Sequence, residues 1–194
     1  MDENIMEVKE ISSLDPISYQ YFDNLFNHRT IVFNQDVDES IVENVILPLR
    51  TFENDDSEEP VSLIINTPGG AALPSLVLIN IIDNYKKPLN IYVYGYAMSM
   101  GAIILAAGNN NPNVHKYCHK FSFGLIHSGD INLAGNSSAC KQTIAFLNDV
   151  DETIKQYFLT NTNFTEETWA RIEDKEFYMT STQMKEYGLI DEII

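Results

Sequence analysis

LNIYVYGYAMSMGAIILAAG, residues 89–108, changes pattern at its centre. The first half, LNIYVYGY (89–96), is rich in β-branched and aromatic residues and fits a buried strand. The second, MGAIILAAG (100–108), is small and apolar, a helix stopped by Gly108 at its C-terminal cap. Ser99 falls between them, flanked by Met98 and Met100, whose side chains are read as packing rather than redox groups. A serine at a strand-to-helix turn presents its hydroxyl at a helix N-terminus, where free N–H groups favour negative charge, and nucleophiles are displayed in this way. Serine is equally a preferred N-cap, and this stretch alone leaves both readings open.

Upstream, VSLIIN (61–66) is a second buried strand ended by TPGG (67–70), where two glycines allow close backbone approach and unusual φ values. Pro74 opens the following helix, PSLVLINIIDNY, as an N1 proline. Residues 18–29 carry Tyr21, Phe22, Leu25 and Phe26 at helical spacing, and TIVFNQDV (30–37) reads as a strand with its exit. Ser40 caps a helix reaching about Phe52, in which Pro48 predicts a kink. ENDDSEEP (53–60) reads as a solvated connector. Residues 1–17, polar and acidic, read as a mobile arm preceding one domain over 18–194.

Downstream, two short strands fit VHKYCHKFSFGLIH (114–127). A long helix follows over 137–159, with Ala139, Ile144, Leu147, Val150, Ile154, Tyr157 and Phe158 as its apolar stripe. FTEETWARIE (164–173) is a helix capped by Thr165, with Phe164 and Trp169 spaced as a hydrophobic staple. Thr180 and Gln183 match a capping box, and Gly188 matches a C′ stop. Strands alternating with helices specify an α/β fold.

Twelve basic residues against 28 acidic ones give a net charge of −16, which leaves no phosphate-neutralising patch and argues against nucleic acid or an anionic membrane as partner. Two cysteines, Cys118 and Cys140, imply no disulfide framework and suit a reducing cytoplasm. No apolar run reaches the roughly 18 residues of a membrane span. Acyl transfer by a serine requires a base, a group that orients the base, and N–H donors for the oxyanion. Of the four histidines (His28, His115, His119 and His127), His127 ends the apolar run FGLIH and is set at a sheet edge beside a cleft. HKYCH brings His115, Cys118 and His119 close in sequence, but a strand sends alternate residues to opposite faces, so no metal is expected.

Taken together, NTPGG (66–70), GYAMSMGA (95–102), LIH (125–127) and KEYGLIDEI (185–193) resemble, in order and approximate spacing, the motifs of the Clp protease proteolytic subunit (ClpP) family. The resemblance extends from about Tyr19 to Ile194. It implies a crotonase-like superhelix of strand–strand–helix units, with the helix at 137–159 projecting as a handle. It implies serine endopeptidase activity on unfolded polypeptides, with Ser99 as nucleophile, His127 as general base, and the Gly70 and Met100 N–H groups as oxyanion donors. The third triad member, an aspartate in the family, matches Glu176 when counted back from YGLID, with Asp174 as the alternative. The resemblance further implies two stacked seven-subunit rings, an AAA+ unfoldase that spends the ATP, and residues 1–17 at the axial entrance. This chain has no GxxxxGK[ST] motif and is expected to hold no cofactor.

The departures are specific. NNNPNV lengthens the Ser99–His127 segment, and HSGDINLAGNSS replaces the family's glutamine–proline after the histidine. Ser62 and Ile64 stand where relatives carry ATPase-docking tyrosines, while Tyr92 and Tyr94 lie on the next strand. Asp174 and Lys175 match charged ring-linking positions. Two further readings therefore stand beside the active peptidase: a catalytically weakened paralogue that joins mixed rings, and a crotonase-type acyl-CoA enzyme.

Overall fold

The computed structural model describes residues 16–129, 133–172 and 175–194. Asp174 and the expected arm as far as Asp15 lie outside the described residues. The elements in chain order are α1 (Pro16–Asn27), β1 (Thr30–Phe33), a π-helical turn (Val42–Ile46) running into α2 (Leu47–Asn54), β2 (Val61–Thr67), α3 (Ala72–Asp83), β3 (Leu89–Met98) and α4 (Met100–Leu105). Then come β4 (Val114–Cys118), β5 (Phe123–Ile126), α5 (Ser137–Asn161), α6 (Glu166–Ile172), β6 (Phe177–Thr180), α7 (Ser181–Glu186) and β7 (Glu192–Ile193).

The strands form one sheet in the order β1-β2-β3-β4-β7, parallel throughout, with β5 joining β3 and β6 joining β5 antiparallel. Strand β3 is the fork: Leu89–Val93 pair with β4, and Tyr96–Met98 pair with β5. Helices cross over between parallel neighbours, as parallel pairing requires. Ile31, Phe33, Val61, Leu63, Ile65, Leu89, Ile91 and Val93 face the helices and are wholly buried, with Ile41, Leu49, Leu78 and Ile82 packed in the same core. The other face is only partly covered. There Tyr92 stacks on Tyr117 at 5.2 Å, and a half-exposed Tyr94 meets His119 edge-on at 4.6 Å.

Several local expectations hold. Thr165 accepts the Thr168 N–H, and Thr180 with Gln183 forms the capping box; α5 adds a cap beyond those expected, Asn136 accepting the Ala139 N–H. Gly108 and Gly188 adopt positive φ at helix ends. Phe164 and Trp169 both rest on Phe158, at 5.0 and 5.7 Å between ring centroids.

Others are corrected. Ser40 does not cap α2, because its hydroxyl and N–H both donate to Asp38 Oδ1. The disturbance expected at Pro48 takes the form of the π turn, which widens the backbone just before the residue that lacks an N–H. Helix α3 starts two residues before Pro74, still within the first turn, where a missing N–H costs nothing. The acidic connector is tied down: Glu53 is buried, pairs with Arg50 and accepts the Lys86 N–H, while Asp55 holds both Arg29 and Lys87. On α5, which is about 37 Å long by its residue count, only Val150, Ile154 and Phe158 are buried. Ile144 and Phe146 stand exposed, so the N-terminal half projects from the body. No helix among the described residues is long and apolar enough to cross a membrane.

The Arg29 hydrogen bond, aided by Lys87 and the Ser57 N–H, holds the Asp55 carboxyl down to about 2 from 3.8. A carboxylate depressed in the folded state contributes stability above its unfolded pKa and loses it as pH falls toward the folded value. Thermal melts between pH 5 and pH 2 are expected to show a shallower acid-induced loss for Asp55→Asn than for the wild type.

Candidate active site

Strand β3 carries a bulge just before its end. Ile65 pairs with Val93, but Thr67 pairs with Ala97, so β3 has two more residues than β2 over this step. Asn66 stitches the irregularity, its Oδ1 accepting the Tyr96 N–H at 3.1 Å and its Nδ2 donating to Asn34 Oδ1. A Cβ on Gly95 would sit 2.5 Å from that Asn66 Oδ1, so a side chain there would push the amide away from the Tyr96 N–H. The result carries Ser99 past the end of β2.

Ser99 has φ +52 and ψ −124, a strained combination for a residue with a side chain, costing on the order of 1–3 kcal/mol. The surroundings hold it there. Its N–H donates to Leu125 O at 2.8 Å, and its carbonyl accepts the Ala102 and Ile103 N–H groups that begin α4. Although Ser99 occupies the N-cap position, its hydroxyl makes no capping hydrogen bond. The cap reading of this serine is therefore not the one the fold adopts.

The TPGG turn lies directly against this strained turn. A Cβ on Gly69, where φ is +95, would fall 2.6 Å from Ser99 Cβ and 2.9 Å from Met100 N. Thr67, fully buried, fixes the turn by donating its hydroxyl to Gln35 O at 2.6 Å and accepting the Gly69 N–H at 3.2 Å. Val37 continues the arrangement as a parallel bridge to Gly70, donating to Gly69 O and accepting from the Ala71 N–H. A side chain on Gly70 would run into the Val37 backbone, so this contact is what demands glycine there. Met100 N–H lies in the first turn of α4, beyond reach of any intrahelical acceptor. Among the described residues neither it nor the Gly70 N–H donates to another group.

His127 follows β5, whose Leu125 pairs with Met98 and receives the Ser99 N–H. Antiparallel β6 pairs Leu125 with Tyr178 and Ile126 with Phe177, the last pair of the ladder, which His127 directly follows and Glu176 directly precedes in the chain. Residues opposite each other in an antiparallel pair share a face. The fold thus brings Ser99, His127 and Glu176 to adjacent strand ends, with Ser99 and His127 half-buried and Glu176 exposed. Among the described residues no hydrogen bond joins the three. The Glu176 carboxylate instead accepts from Tyr178 Oη at 2.5 Å.

Sequence reasoning missed Tyr178, Thr67 and Lys116. Lys116 is 1% exposed, and its Nζ donates to Leu105 O at 2.7 Å, Ala107 O at 3.2 Å and Asn109 Oδ1. Three ammonium donors meet three acceptors at the C-terminal end of α4, where a helix favours positive charge. Burial still pulls this lysine down to about 8, against the favourable charges of Asp191 and Asp83. Period-two alternation in VHKYC carried the signal, since it aligns Lys116 with buried Val114 and Cys118. The same alternation keeps HKYCH from converging. Cys118 is buried with its thiol pushed up to about 11 by burial, His115 is exposed on the opposite face, and His119 lies against Tyr94.

Gly69→Ala is expected to cost about 3 kcal/mol in chemical denaturation, since a methyl must displace backbone on both sides of Ser99. Lys116→Ala is expected to cost about 3 kcal/mol by the same measurement, because it orphans the buried Leu105 and Ala107 carbonyls and leaves a cavity.

The Clp protease family model matches residues 13–194. An ATP-dependent Clp protease proteolytic subunit of Cyanophora paradoxa is 30% identical over 177 residues, covering 87% of this chain and 86% of that protein. A proteolytic subunit of the same description from Deinococcus radiodurans is 23% identical over 177 residues, covering 91% and 85%. With the family match spanning the sheet, the strained serine turn and the strand ends beside it, the chain belongs to the Clp protease family and has its crotonase-like fold.

Proposed function

We propose that this chain is a serine endopeptidase subunit that cleaves unfolded polypeptides. Ser99 Oγ attacks the scissile carbonyl carbon, and its proton passes to His127. Glu176 accepts a hydrogen bond from the imidazole and stabilises the imidazolium that forms. The Gly70 and Met100 N–H groups receive the oxyanion, each such donor contributing on the order of 3 kcal/mol. His127 then protonates the leaving amine, and water releases the acyl group by the reverse sequence. One observation carries this reading: Ser99 is held in a strained strand-to-helix turn whose N–H donates to Leu125, two residues before His127. Two N–H groups left without protein acceptors among the described residues support it.

The proposal extends to assembly. The chain forms two stacked heptameric rings around a closed chamber, with the projecting half of α5 meeting the opposite ring, consistent with its exposed Ile144 and Phe146. An AAA+ unfoldase in the cytoplasm spends ATP to deliver substrate and docks on the outer aromatic face near Tyr92 and Tyr94. The chain itself holds no cofactor.

A second reading has its own observation. Among the described residues no hydrogen bond joins Ser99, His127 and Glu176, as befits a weakened paralogue that serves in mixed rings beside an active subunit. A fluorophosphonate probe separates the two, because Ser99 Oγ must lose its proton to His127 to displace fluoride at phosphorus. Intact mass spectrometry is expected to show one adduct per chain, absent from Ser99→Ala and from His127→Ala. No adduct on assembled rings would replace the peptidase reading with the second.

A further inference from the structure

Tyr178 lies two residues after Glu176, so the two side chains leave the same face of the chain as it enters and follows β6. The phenol donates to Glu176 Oε2 at 2.5 Å, and that hydrogen bond raises the Tyr178 pKa above its ordinary value. Across the ladder Leu125 faces Tyr178, and the ladder closes with Ile126 facing Phe177, one residue short of His127 and of Glu176. The carboxylate thus meets a phenol on its own strand, at the end of the ladder whose other strand leads into His127. Among the described residues its only hydrogen-bond partner is the phenol.

We infer that Tyr178 is a positioning residue that parks the Glu176 carboxylate away from His127, so that the triad is completed only when this hydrogen bond opens. The inference rests on the proposed roles of Ser99, His127 and Glu176. A carboxylate has two oxygens and several lone-pair sites. However, a short bond from a phenol draws down the negative charge available to an imidazolium. It also fixes the side-chain torsions that point the carboxylate along β6. Both groups are exposed, Tyr178 at 57%, so water competes for the bond and its net strength stays modest. Opening it is within reach of a substrate strand, a neighbouring subunit or thermal motion. A hydrogen bond of this class biases the two carboxylate positions by about two- to tenfold, which sets the size of the effect on reactivity.

The test uses the full-length protein in its native assembly and the fluorophosphonate probe. Tyr178→Phe removes only the hydroxyl of an exposed ring and so leaves the fold in place. It is expected to raise the saturating labelling rate at Ser99 about two- to tenfold, with the half-saturating probe concentration unchanged. The gain is expected to vanish in a Glu176→Gln background, where no carboxylate remains to be released. Labelling of Tyr178→Phe where the wild type shows none would support the inference in its strongest form. An equal or slower rate in Tyr178→Phe, or a gain that persists with Glu176→Gln, overturns the inference while Ser99-dependent labelling keeps the peptidase reading. No Ser99 adduct in either protein overturns both.

Discussion

Two backbone turns, one ending β2 and one ending β3, occupy a space that admits no side chain between them. Gly69 makes this possible, since its α-carbon rests against the Ser99–Met100 peptide and its φ of +95 suits few other residues. Almost everything distinctive about the site follows from that contact. The β3 bulge opposite Asn66 advances the second turn past the first, and the buried Thr67 hydroxyl keeps the first turn closed beneath it. Val37 presses on Gly70 from the far side. Strain at Ser99 persists because every group that could relieve it is pinned by a neighbour.

How far the sequence reveals this depends on the range of the interaction. The strand-to-helix change around Ser99, the glycine stops at Gly108 and Gly188, and the Thr180 capping box are set by nearest neighbours and read correctly from local pattern. The TPGG glycines announced unusual backbone, but not their purpose: Gly70 is glycine because of Val37, over thirty residues upstream. Ser40 failed as a cap because Asp38 offers its hydroxyl and N–H a charged acceptor at closer range. The stripe on α5 reads as continuous from periodicity, yet only its second half finds a body to pack against. Of the candidate site residues, Ser99 and His127 are marked by the runs they terminate. Glu176 is marked by no such run and comes only from counting back from YGLID in the family resemblance.

The nucleophile helix is governed from both ends. At its N-terminus the Ser99 carbonyl closes the first turn, and among the described residues the Met100 N–H has no acceptor. At its C-terminus Lys116 saturates the carbonyls of Leu105 and Ala107. Asn109 passes the constraint outward, accepting from Lys116 and donating to the carbonyls of Asn161 and Gly188, at the root of α5 and the start of the C-terminal segment. Asp83 makes a parallel link, accepting from the Gly108 N–H and from the Tyr157 hydroxyl on α5. A six-residue helix has little cooperativity of its own. Its geometry is inherited from these two anchors, and a tilt of α5 has a direct polar route to the turn that carries Ser99.

Glutamate at position 176 gives this arrangement its freedom. An aspartate on a strand has one methylene and few ways to turn, so its carboxylate stays near the residue opposite. The extra methylene of Glu176 lets the carboxylate lie along the strand as well as across it, and along the strand it meets Tyr178. With a phenol two residues away, the longer arm finds a hydrogen-bond donor on its own strand.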